Sequence, residues 1–173
     1  MAPLPPESTA RFKVFYTVGT HQHTMEIRSA ASPSAVGTII DDFLTALNDE
    51  IYILTIDEVQ FAANGSVIFN AATTGVEGNS YGTGAEPNEA TPFYLSFIGR
   101  SPGGRRVRIY VFGSKSLYTD YRVTALENTD VDNAIAVLVA AAGSILAIDG
   151  GTPVWKTYAN MGVNAHWQKA IRP

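Results

Sequence analysis

Hydrophobic residues recur with two different periods along this chain, and the plainest stretch is FYLSFIGRSPGGRRVRIYVF, Phe93 to Phe112. Two runs of aromatic and β-branched residues flank Gly99-Arg100-Ser101-Pro102-Gly103-Gly104, a cluster suited to a turn, so the pattern predicts a β-hairpin. In its second arm Val107, Ile109 and Val111 alternate with Arg106, Arg108 and Tyr110, which gives one apolar face and one cationic, phenolic face. The first arm is apolar on both sides, with Phe93, Leu95 and Phe97 on one and Tyr94 and Ile98 on the other. Such a strand is central in a sandwich, or covered by a helix or another subunit.

The rest of the chain is read around that hairpin. Residues 1–10 are rich in proline and predict an extended arm. Arg11 to Val18 and His23 to Arg28 read as two strands joined through Gly19-Thr20. Ser32 as N-cap and Pro33 at the first helical position start a helix near 33–48, with Val36, Ile39, Ile40, Phe43, Leu44 and Leu47 on one side. Ile51 to Phe61 reads as a strand, and Asn64-Gly65 is a two-residue turn signal into Ser66 to Asn70, setting Val59 and Phe61 against Val67 and Phe69.

Residues 71–90 carry Gly75, Gly78, Gly82 and Gly84 without apolar periodicity, and a loop of that length is usually functional or disordered. Tyr121 to Leu126 reads as a short strand. A second helix is expected near 130–142, with Thr129 as its cap, Asp130 and Asp132 in its first turn and Gly143 after its end. It is apolar nearly all round and therefore needs cover on more than one side. Ile145 to Ile148 reads as a further strand. The tail at 152–173, with Trp155, Tyr158 and Trp167, has no clear period and is expected to dock as an irregular strand or arm on the domain or a neighbour. The fold class that follows is α+β, mainly β: an antiparallel β-sandwich or barrel-like sheet with two packed helices, in a single domain over 11–151.

Composition narrows the partners. At 173 residues, 46% of them hydrophobic and 16% charged, the chain is long enough to bury a substantial core. A net charge of −4 argues against general binding of nucleic acid or anionic membrane, although Arg100, Arg105, Arg106 and Arg108 fall together as a local cationic patch. There is no cysteine, which removes disulfides, thiolate metal sites and a cysteine nucleophile. The first residues, MAPLPPESTA, show neither a basic nor an apolar signal region, and no apolar run is long enough to span a bilayer. The product is expected to be soluble and made in the cytosol.

A search for reaction chemistry finds no coherent set. His21 and His23 share one face of a strand and lack a third ligand. Asp41 and Asp42 diverge around a helix, and Asp57 and Glu58 point to opposite sides of a strand, so neither is a working carboxylate pair. The glycine-rich stretch lacks the phosphate-loop lysine, and no serine lies in a nucleophile elbow. No catalytic residue, metal or cofactor is expected.

Three segments carry a resemblance: Leu4-Pro5-Pro6 near the start, FIGRSPGGRRVRIYVFG from Phe97 to Gly113, and YANMGVNAHWQKAIR from Tyr158 to Arg172. In these the chain resembles small virion structural proteins of tailed bacteriophages. The resemblance implies a non-enzymatic capsid decoration or cement protein located in the virion, made in the host bacterial cytoplasm, and partnered by itself and by a major capsid or tail protein. A tail-tube, connector or neck subunit is the nearer alternative. On that reading the candidate interface residues are Leu4, Pro5, Pro6, Phe93, Tyr94, Arg105, Arg106, Arg108, Tyr158 and Trp167. A glycan-binding adhesin is the alternative from another class, with Tyr81, Asn79 and Trp155 as its contacts, because sugar recognition needs an aromatic platform beside planar polar groups.

Overall fold

A computed structural model describes residues 10–63, 65–86, 94–115, 117, 128–141, 145, 153–160 and 168–170. The strands are β1 (Ala10–Val18), β2 (His21–Ser29), β3 (Leu54–Ala62), β4 (Asn70–Ala71), β5 (Ser80–Tyr81), β6 (Tyr94–Arg100), β7 (Arg106–Phe112), β8 (Val154–Asn160) and β9 (Gln168–Ala170). The helices are α1 (Pro33–Ala46) and α2 (Thr129–Ala140). Every described strand pairing is antiparallel, in the order β4-β3-β1-β2-β7-β6-β8-β9, with β5 also on the outer side of β3. The protein is thus α+β and mainly β, with the two helices packed on one face of an open sheet.

Alternation along each strand decides which residues face the helices. Phe12, Val14 and Tyr16 of β1, Met25 and Ile27 of β2, Leu95 and Phe97 of β6, and Val107, Ile109 and Val111 of β7 are all buried on the inner face. α1 begins as its sequence predicts, with Ser32 Oγ accepting from the Ala35 N–H and Pro33 in the first turn. Its Ile40, Phe43 and Leu44 meet Met25, Ile27, Ile109 and Leu138 of α2, and the Phe43 ring stands edge-on to Phe97 at 4.8 Å.

Four local expectations change. The N-cap of α2 is Asn128, whose Oδ1 accepts from the Val131 N–H at 3.0 Å, so Thr129 is already inside the helix. Ile145 has helical backbone, donates its N–H to the Ala141 carbonyl and is buried, which removes it from the expected strand. The segment returning from β3 pairs with it at Asn70–Ala71, registered on Phe61 and Gln60, so Val67 stays 83% exposed instead of facing Val59. Most consequentially, part of the expected tail is an interior strand: β8 runs the whole length of β6, and Trp155 lies in the core. The segments around Leu4-Pro5-Pro6, Phe93, Tyr121 to Leu126, Gly143 and Trp167 lie outside the described residues.

The glycine-rich stretch is also more structured than its composition suggests. Val76 and Tyr81 anchor it in the core, and β4 and β5 lie along β3. Glu77 organises the turn between them: its carboxylate accepts from the Thr74 N–H (2.9 Å) and Oγ1 (2.7 Å) and from the Gly75 N–H (2.9 Å). Partial burial pushes this carboxyl up, but the hydrogen bonds from Thr74 and Gly75 outweigh it and hold the pKa below the usual 4.5. A folded-state pKa below the unfolded one contributes stability that is complete above about 4.5 and is lost as pH falls through the lower folded value. Hydrogen exchange followed through an acid titration is therefore expected to show the 74–78 turn of the native chain losing protection as pH falls, whereas that of Glu77→Gln is less protected at neutral pH and changes little over the same range.

Candidate functional site

The sheet has one covered face and one on which no described element forms a layer. Strand register assigns residues to that outer face. Tyr94, Ser96, Ile98 and Arg100 of β6 stand opposite Phe112, Tyr110, Arg108 and Arg106 of β7 on one side, and opposite Asn160, Tyr158, Lys156 and Val154 of β8 on the other. Arg108 is paired across β2 with Glu26, and Glu26 across β1 with Lys13. A single cross-strand row therefore reads Lys13, Glu26, Arg108, Ile98, Lys156.

The row beside it places Arg11 opposite Arg28, and Arg106 opposite Arg100, which faces Val154. Arg100, Arg106, Arg108 and Lys156 are exposed and Arg28 is half-buried. Like charges directly opposite one another destabilise a sheet by a few tenths to about 1 kcal/mol. The Arg100–Arg106 pair is thus a local cost at this surface.

Further along the same strands the face becomes aromatic. Tyr94 and Phe112 pack ring to ring at 4.5 Å, and Tyr110 and Tyr158 flank Ser96. The Arg108 guanidinium lies over the Tyr110 ring, 5.2 Å from its centroid, and donates to its hydroxyl at 2.6 Å. Arg11 and Lys13 are engaged by the loop after β3, at 5.0 Å and 4.3 Å from the Phe69 centroid.

The opposite surface of the molecule is built from the helices. No Lys or Arg occurs in either helix, whereas Asp41, Asp42, Asp130 and Asp132 do. Between the helices runs a groove of about 470 Å³ lined by Ala35, Thr38, Ile39, Asp42, Val137 and Ala140. Val139 is half-exposed on α2. The apolar excess seen in the α2 sequence thus ends on this surface.

Of the expected interface residues, Tyr94, Arg106, Arg108 and Tyr158 fall together on the outer sheet face, and Arg105 sits in the turn entering β7. Leu4, Pro5, Pro6, Phe93 and Trp167 lie outside the described residues. Arg28, Ile98, Phe112 and Lys156 belong to the same face and were not marked by sequence reasoning. Their signal was the alternation within each strand, which becomes an address only once the strand order is known.

The glycan contacts do not assemble. Tyr81 is buried beneath the loop and donates its hydroxyl to Asp41 Oδ1 at 2.6 Å; Trp155 is buried on the other side of the sheet order, against Gly99. Asn79 alone of the three is exposed. Burial, reinforced by the bond to Asp41, pushes the Tyr81 hydroxyl up to about 12, so it remains a donor throughout the physiological range. Tyr81→Phe is expected to cost about 1–2 kcal/mol in urea unfolding, because it removes a hydrogen bond to a charged acceptor.

The histidine pair is likewise placed without becoming a metal site. His21 is exposed; His23 is half-buried between Tyr16 and Phe112, where burial and the neighbouring His21 lower its pKa and favour the neutral ring. Among the described residues no three His, Cys, Asp or Glu side chains cluster for a metal ion. Asp57, the extra residue of a β-bulge in β3, accepts from Thr17 and Gln22, so it is a structural acceptor rather than half of an acid–base pair. No helix among the described residues is long and apolar enough to cross a membrane.

No protein-family model, curated protein or solved structure matches this chain.

Proposed function

We propose that this chain is a non-enzymatic structural protein of a virion, a capsid decoration or cement protein of a tailed bacteriophage, which works by associating with copies of itself or with the capsid lattice. The observation that carries the reading is the outer face of β7, β6 and β8. It combines half-buried Tyr94, Ile98, Phe112 and Tyr158 with exposed Arg100, Arg106, Arg108 and Lys156, on the side of the sheet away from α1 and α2. Aromatic and arginine side chains are the types that protein interfaces concentrate.

The described sheet edges point the same way. β4 and β5 at one edge are two residues each, and β9 at the other is three. Short edge strands discourage growth by strand addition, so association is directed to the faces. The resemblance of three segments to phage virion proteins supplies the class of particle. A tail-tube, connector or neck subunit is the second reading, favoured by the opposite charge of the two outer surfaces, which suits stacking.

Multi-angle light scattering of the purified protein, alone and with a panel of bacterial surface glycans, tests the assignment. Mass that rises with protein concentration in the absence of glycan supports it. A particle of one chain that binds glycan and stays single transfers the function to adhesion.

A further inference from the structure

The two outer surfaces are complementary in both charge and apolar content. The sheet surface presents cations around Ile98 and the half-exposed Val154; the helical surface presents a groove walled by Ala35, Ile39, Val137 and Ala140, with the exposed Asp42 on its lining. α1 and α2 carry Asp42, Asp130 and Asp132 and no Lys or Arg, Asp41 being taken up by the Tyr81 hydroxyl, and the two outer rows of the sheet supply Arg28, Arg100, Arg106, Arg108 and Lys156 against Glu26. In a chain of net charge −4, this is a segregated distribution.

We propose that copies of this chain associate head to tail, the outer sheet face of one seated on the α1–α2 groove of the next. The proposal rests on the assembly reading above and adds to it the two surfaces and their polarity. Because the surfaces differ, the contact is heterologous: it closes into a ring where the rotation between copies permits and otherwise continues as a stack or filament. Opposite charges steer the encounter and select the register, while burial of Ile98 and Val154 against the apolar groove supplies attraction that salt does not screen.

A second copy fits the sheet face better than a nucleic acid strand. Non-specific strand binding needs aromatic faces free to stack on bases. Here Tyr94 and Phe112 are packed on one another, and the Tyr110 ring is occupied by Arg108. A polyanion also offers nothing to the groove between the helices, which has the other half of the complementarity.

The test is a charge exchange, read by sedimentation velocity of the full chain. The sheet variant is Arg100→Glu with Arg106→Glu, two cross-strand partners, so that the like-charge pairing inside the sheet is the same before and after. The helix variant is Thr38→Lys with Asp42→Lys, both exposed in the middle of α1. Circular dichroism confirms that each variant folds. Each alone is expected to self-associate at least about 10-fold more weakly than the native chain, and an equimolar mixture is expected to regain native association as an alternating assembly.

If either variant associates like the native chain, or the mixture behaves as the sum of its parts, the head-to-tail contact is overturned while assembly by another surface stands. If the native chain itself stays single at every concentration and salt, the assembly reading falls with it. A labelled oligothymidine that binds the native chain, fails to bind the sheet variant and displaces self-association would put a polyanion in the place of the second copy, and would also overturn the proposal.

Discussion

Gly37→Ala is expected to destabilise the protein by about 3 kcal/mol or more, against the direction that helix propensity predicts. In an exposed helix the same change stabilises by roughly 1 kcal/mol, because glycine has the greater backbone entropy to lose. At Gly37 a Cβ would stand 1.8 Å from the Thr74 carbonyl oxygen and 2.7 Å from its carbon. Neither is the end of a flexible side chain. Thr74 is held by Glu77, and Val76 beyond it is buried, so the turn cannot retreat without giving up both. Urea unfolding of Gly37→Ala checks this; a gain in stability would mean that the turn does not sit on α1.

The second large effect lies on the other side of the core. Trp155→Ala is expected to cost about 3–5 kcal/mol, the range for removing a fully buried large aromatic side chain. Its indole lies against Gly99 so closely that a Cβ there would be 2.8 Å from the ring carbons. The indole N–H has no hydrogen-bond partner among the described residues, so Trp155→Phe forfeits only part of the packing and is expected to fall well below the alanine loss. Guanidinium unfolding of both variants separates the two. A Trp155→Ala cost no larger than that of an exposed substitution would return β8 to the role of a loosely docked tail.

Most of the architecture is legible in the sequence wherever one physical signal dominates. The hairpin of β6 and β7 alternates strictly around a glycine-rich turn, and α1 has its serine cap, its proline and a three-to-four-residue apolar repeat. β8 escapes because its alternation lacks contrast: the inward residues are Trp155, Thr157 and Ala159, the outward ones Lys156 and Tyr158. Only Trp155 announces a core. The stretch around Val76 and Tyr81 escapes because its two anchors are isolated among glycines, and what holds them, Asp41 and the backbone against Gly37, is distant in sequence.

The candidate site was half visible for the same reason. Arg100, Arg105, Arg106 and Arg108 are close along the chain and read as a cluster. Arg28 and Lys156 join that face only through the pairing of β2 with β7 and of β6 with β8, a long-range fact that local pattern does not contain. The acidity of the helical surface was present in the sequence as Asp42 and Asp130. It acquired meaning only when the opposite surface proved to be cationic.

Because the native chain contains no cysteine, a single thiol placed on the sheet face reports its cover without background. Val154→Cys puts an uncharged probe there, at a residue 49% exposed in the single chain, and Val67→Cys, in the exposed loop after β3, serves as reference. Maleimide labelling at residue 154 is expected to slow at least about 10-fold as protein concentration rises and to recover on dilution, while labelling at 67 is unchanged. Equal rates at residue 154 across all concentrations would contradict it.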